Sequence, residues 1–145
     1  MHNLKSLNLS NLNAPNLRNI NMFGGCDSLL SINLSYLNAL SLTSFGWVLT
    51  ECSSLMSLDL SYLNAPKLDS FEFSFFCLYN LKSINLSNIN VDSVRSMNYM
   101  FYSCFSLDKI ILFNISAKNT TTMREMLYNC SSLKELDFSN FKTKM

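Results

Sequence analysis

The stretch YNCSSLKELDFSN, Tyr128–Asn140, decides the fold, because nearly the same phrase stands at three earlier places: GCDSLLSINLSY from Gly25, ECSSLMSLDLSY from Glu51 and SCFSLDKIILFN from Ser103. The leucine that opens each phrase recurs as Leu4, Leu29, Leu55, Leu81, Leu107 and Leu133, first 25 and then always 26 residues apart. A fixed period of this size marks a stack of repeated coils. Apolar residues follow each of these leucines at plus three, plus five and plus eight, as Leu58, Leu60 and Leu63 follow Leu55. The last unit obeys with Leu136, Phe138 and Phe141.

Within a unit the L-x-L alternation has period two, so Leu7 and Leu9 share a face and Asn8 takes the other, as in a short strand. Further on the spacing becomes helical. Met97, Met100, Phe101 and Cys104 lie at i, i+3, i+4 and i+7, and Met123, Met126, Leu127 and Cys130 repeat the series. This predicts a strand, a turn and a short helical return per unit. One such unit cannot bury its faces alone, whereas parallel strands stacked about 4.8 Å apart place every leucine on its copies. The expected fold is therefore a leucine-rich-repeat-like α/β solenoid. It is one domain, 1–145, of about six coils of 26 residues starting near 3, 26, 52, 78, 104 and 130, with a parallel sheet on one face and helical returns on the other. The first unit is one residue short near NINMF. The chain opens within a strand frame and stops without a final return, so it is expected to be a piece of a longer array with a tendency to end-to-end self-association.

At 145 residues, 48% hydrophobic and 14% charged, the chain can bury a core and is no disordered tail. With 19 Asn and 23 Ser against 11 Lys and Arg, and a net charge of +1, it carries no basic stripe for nucleic acid. No apolar run reaches the roughly 18 residues of a membrane span, so direct membrane insertion is not expected. The single histidine, His2, lies at a terminus, and Asp59 and Asp137 fill one coil position three coils apart. Neither a histidine-based triad nor a paired-carboxylate site can be assembled from these, and no enzyme activity or cofactor is expected.

The cysteines follow the repeat. Cys26, Cys52, Cys104 and Cys130 keep the 26-residue frame, Leu78 takes the remaining slot, and Cys77 is displaced by one. A leucine in that slot marks it as apolar, so buried thiols are expected rather than metal ligands or disulfides. Asn13, Asn38, Asn64 and Asn90 likewise share a slot, suited to an amide ladder between coils. Two further places stand out as candidate contact sites. Tyr36 and Tyr62 occupy one slot in adjacent coils and should stack about 5 Å apart. In the fifth coil Ile111 and Phe113 replace the polar residues of the series Asn8, Asn33, Asp59, Asn85 and of Ser10, Ser35, Ser61, Ser87, which are expected to point outward. Ile111 and Phe113 then form a binding patch, pack beneath a bent loop, or record a one-residue slip that would bury Ile111 in place of Ile110.

MNYMFYSCFSLDKIILFN from Met97 and MREMLYNCSSLKELDFSNF from Met123 resemble the 26-residue repeats of BspA-like leucine-rich-repeat surface proteins, a group that includes mycoplasma-type surface lipoproteins, with the pattern M-x-x-M-F-x-x-C-x-S-L-x-x-L-D-L-S-x-F. The third return, FEFSFFCL, departs from it by placing Ser74 and aromatic residues where methionines stand. The resemblance implies a cell-surface or secreted protein, in some members one that adheres to host or neighbouring-cell proteins. A non-enzymatic adhesion solenoid making protein contacts is the expected function. A structural spacer within a longer array and an intracellular leucine-rich-repeat scaffold are the alternatives.

Overall fold

The structure, a computed structural model, describes residues 3–49, 52–138 and 141. Each strand is only three residues long and turns one side chain inward. The strands are β1 (Ser6–Asn8), β2 (Ser31–Asn33), β3 (Ser57–Asp59), β4 (Ser83–Asn85) and β5 (Lys109–Ile111). They form one parallel sheet in chain order, a β-solenoid of about four turns. Leu7, Ile32, Leu58, Ile84 and Ile110 align in register, as do the serines and the Asn/Asp residues on either side of them. The short first unit leaves this register intact. Its missing residue is absorbed by a 3-10 turn at Asn21–Phe23 and by Gly25, whose φ of 71° suits glycine.

Side chains turn the corners between straight segments. Past each strand, Oδ1 of Asn8, Asn33, Asp59 and Asn85 accepts from the backbone N–H two residues on, at 2.8–3.0 Å. This is an Asx-turn, the reason the slot is Asn or Asp. The next corner residue is left-handed: Asn11, Tyr36, Tyr62, Asn88 and Asn114 all have φ of 53–59°. A second line of parallel bridges joins Asn13, Asn38 and Asn64, and a third joins Ser44, Ser70, Ser96 and Thr122. The expected amide ladder is present from Asn64 through Asn38 to Asn13, with both side-chain bonds at 2.8 Å. Asn90 leaves it and accepts instead from the Asp92 N–H.

The core is continuous along the stack. Leu34, Leu60 and Leu86 are buried on their own copies, and beneath the returns Phe45, Phe71, Phe75 and Phe101 pack ring against ring. One position interrupts it. Ser74 stands in the slot of Val48, Met100 and Met126, and its buried hydroxyl has no partner. Ser74→Val should raise the unfolding free energy by about 1–3 kcal/mol by removing that desolvated oxygen; a lowered urea midpoint would contradict this account of the site.

The returns are not helical. The residues expected inward are buried, Met97, Met100, Phe101 and Cys104 among them, yet an α-helix would direct each N–H to the carbonyl four residues back. Here alternate N–H groups leave the coil. Phe71, Phe73, Phe75 and Cys77 donate to Ser96, Asn98, Met100 and Tyr102 of the next coil at 2.8–3.1 Å, while Ser74 and Phe76 close turns onto Phe71 and Phe73. Left-handed residues recur every fourth position, at Phe73 and Cys77, Tyr99 and Ser103, Glu125 and Asn129. Two successive four-residue turns thus reproduce the i, i+3, i+4, i+7 burial of a helix. The physical reason is pitch: a helix is about 10 Å across and cannot stack at the roughly 4.8 Å spacing of the strands.

The expectation of six coils is also corrected, since the sheet among the described residues has five strands. In the sixth unit residues 133–138 form none. Leu133, Leu136 and Phe141 still pack on the core, and Leu136, Phe138 and Phe141 line a small apolar cavity at its end together with Ile110, Leu112 and Met126. An open cleft of about 560 Å³ separates Asp108–Ile110 from Lys134–Asp137. One substitution accounts for part of the break: continued pairing would set the Asp137 carboxylate on the apolar Ile111 side chain, whereas Lys109 opposite Glu135 would be a compatible pair.

Candidate functional site

The most distinctive surface lies on the returns. Trp47, Phe73 and Tyr99 hold the same left-handed position in successive coils and stack at centroid distances of 4.5 and 4.8 Å. Arg124 continues this row with its guanidinium 5.9 Å from the Tyr99 centroid. Phe76, Tyr102 and Tyr128 form a second row at 5.1 and 4.8 Å, and Tyr79 with Phe105 a third. Edge contacts between Phe73 and Phe76 and between Tyr99 and Tyr102 join the first two rows. Because rings within a row spend their faces on one another, the surface presents ring edges and tyrosine hydroxyls. Trp47, Tyr128, Tyr79 and Phe105 are exposed.

Sequence reasoning overlooked this array although its signal was there: 47, 73 and 99, then 76, 102 and 128, then 79 and 105, all step by 26. Helical returns about 10 Å apart would hold equivalent rings beyond stacking distance. Only a return that pairs coil to coil brings them into contact.

The four residues picked out beforehand fall on or beside the strand face. Tyr36 and Tyr62 stack as expected, 4.5 Å apart and within 5° of parallel. A tyrosine at φ 56° is strained relative to asparagine, and the stack offsets that cost by about 0.5–1.5 kcal/mol. Ile110 is buried and paired with Ile84, so no register slip has occurred and Ile111 faces outward. The serines of the neighbouring slot do not point outward as expected: Ser35, Ser61 and Ser87 are buried. Phe113 cannot enter that small slot and stands 67% exposed, which excludes packing beneath a loop. Its carbonyl still accepts from Asn88 N–H at 2.9 Å, so the backbone remains in the stack. Ile111→Asn with Phe113→Ser restores the Asx-turn and fills the slot. The double variant should gain about 0.5–2 kcal/mol, the worth of a comparable side-chain cap, and a fall in thermal midpoint would refute this reading.

The strand face itself forms an open trough of about 420 Å³ between the serine rank and the Asn/Asp rank, bounded at β5 by Ile111. Ser6, Ser31, Ser57 and Ser83 make no hydrogen bond through their hydroxyls among the described residues.

Cys26, Cys52 and Cys104 are buried, while Cys77 and Cys130 are half-buried, so the ladder of hidden thiols is partial. Cys52, Cys104 and Cys130 each donate to the carbonyl 29 residues back, of Phe23, Phe75 and Phe101, at 3.0–3.1 Å. Burial pushes the Cys52 thiol up from 9.0 to about 11 and raises Cys104 and Cys130 too. A thiol whose folded pKa exceeds its unfolded one contributes stability below the unfolded value and loses it as pH rises. Stability should therefore hold up to about pH 9 and fall toward pH 11. In native protein a thiol reagent should reach Cys77 first and Cys52 and Cys104 only after denaturant; mapping the labelled residues by mass checks this.

The chain matches the family described as Mycoplasma protein of unknown function, DUF285, over residues 2–111 and again over 43–145. It belongs to this family. Two overlapping placements are what a DUF285 chain of repeated coils permits. No curated protein and no solved structure matches it.

Proposed function

We propose that this DUF285 chain is a non-enzymatic binding solenoid of a cell-surface or secreted protein, adhering to another protein through the aromatic face of its returns. The observation that carries the reading is the eight-ring array of Trp47, Phe73, Tyr99, Phe76, Tyr102, Tyr128, Tyr79 and Phe105, in part exposed and continuous across coils. Tyrosine and tryptophan supply large rigid contact area at small entropic cost and dominate binding hot spots. Surface location rests on the resemblance to BspA-like leucine-rich-repeat proteins, as does adhesion to host or neighbouring-cell proteins. Ile111 and Phe113 add an apolar patch on the strand side.

A spacer role is the second reading, favoured by the way ring faces are consumed between coils. The test uses residues at row ends, where stacking loses least: Trp47→Ser, Tyr79→Ser and Tyr128→Ser combined. Beads coated with wild type should adhere to cultured cells in a protease-sensitive manner, and beads coated with the triple variant should not, at a similar thermal midpoint. If neither adheres, or both do equally, the aromatic face is not the contact surface and the spacer reading stands.

A further inference from the structure

The trough on the strand face combines chemistry that the fold does not use. The Asx-turns engage only Oδ1 of Asn8, Asn33 and Asn85, leaving each Nδ2 with two protons and no acceptor among the described residues. Asp59 likewise keeps Oδ2 after its Oδ1 accepts from Ser61. Facing them across the trough are the uncommitted serine hydroxyls. A groove of about 420 Å³ therefore offers, coil after coil, an amide donor on one side and a hydroxyl on the other, with a carboxylate at the centre and an isoleucine at one end.

Three features narrow the ligand. Lys109 takes the serine-rank position at β5, at the end of the groove, but the lining itself holds Asp59 and no cationic side chain, so nucleic acid and other polyanions are disfavoured. The groups repeat at the strand spacing of about 4.8 Å, whereas an extended peptide laid across the strands advances about 3.3 Å per residue and falls out of step. A linear chain of pyranose sugars advances by close to one coil per residue and carries neutral hydroxyls that both donate and accept. We infer that the trough binds a neutral linear glycan, one sugar per coil. Asn8, Asn33 and Asn85 donate through Nδ2 to ring hydroxyls, Asp59 accepts from one, and Ile111 packs on the C–H face of the sugar at its end. This goes beyond protein contact and uses residues separate from the aromatic rows.

The test truncates two of the amide donors. Asn33→Ser with Asn85→Ser leaves a hydroxyl that can close a weaker turn of the same kind and removes the long amide without adding charge beside Asp59. Isothermal titration would compare cellohexaose, chitohexaose and maltohexaose, with a heparin hexasaccharide and a Gly-Ser peptide as controls. At least one neutral hexasaccharide should bind wild type and lose about tenfold or more in affinity on the double variant, measured well below the melting midpoint of either protein. The controls should not bind. If the double variant melts early, Asn85→Ser alone and Ser57→Val replace it. No neutral hexasaccharide binding to wild type, equal binding by the variants, or preference for the heparin or peptide control would each overturn the proposal. The combined Trp47, Tyr79 and Tyr128 variant should keep its glycan affinity, so failure of the protein-contact reading and failure of this one are told apart.

Discussion

Leu60→Ala should lower the unfolding free energy by about 2–5 kcal/mol, as expected for a large cavity in a close-packed core. Leu60 is fully buried in the third coil, and its backbone N–H donates to Asn85 of the next coil at 2.9 Å. A solenoid has contacts only between neighbours, so a weakened middle coil loosens the coupling on both sides. The urea midpoint should fall, and the transition should broaden if the two halves uncouple. A variant with an unchanged midpoint would mean that the inward slot just past the strand carries no packing energy. That would leave the alignment of Leu34, Leu60 and Leu86 without a role.

The second large effect concerns the returns and separates them from helices. Ser103 is buried at φ 58°, and its N–H donates to the Tyr128 carbonyl at 2.8 Å. Ser103→Pro demands a φ near −65° and deletes that donor, so a loss of about 3 kcal/mol or more is expected. Ser103→Gly goes the other way. Glycine is at ease with positive φ, and the change should be neutral or gain up to about 1 kcal/mol, whereas in a helix interior it would cost about that much. Thermal midpoints of the two variants decide the matter, and a destabilised glycine variant would restore the helical return.

The strand half of each coil was legible because its signal is local: Leu58 and Leu60 around Asp59 fix which side chains face in, and the 26-residue frame fixes the register. The return half was misjudged because burial at Met97, Met100, Phe101 and Cys104 is common to a helix and to two tight turns. What distinguishes them is where the N–H groups go, and that depends on the neighbouring coil rather than on the segment itself. The same blindness hid the aromatic rows, since Trp47 and Phe73 meet only if the returns pair. Ile111 and Phe113 were visible as departures from consensus, but the expulsion of Phe113 required knowing that Ser35, Ser61 and Ser87 fill a closed slot. The missing sixth strand is foreshadowed by Asp137 falling opposite Ile111, which a count of leucines passes over.

At the left-handed corner four of the five occupants come in matched neighbours: Tyr36 lies on Tyr62, and Asn114 donates from Nδ2 to Asn88 at 2.9 Å, while Asn11 stands beside Tyr36. A lone tyrosine there would keep its backbone strain and gain no stacking, and a lone asparagine beside it would lose its amide bond. Copying a whole coil meets neither penalty, because the duplicate arrives already complementary to its parent. Such a gene can lengthen or shorten by whole repeats with little loss of stability, while a single substitution at the corner gains its full worth only with a second one 26 residues away.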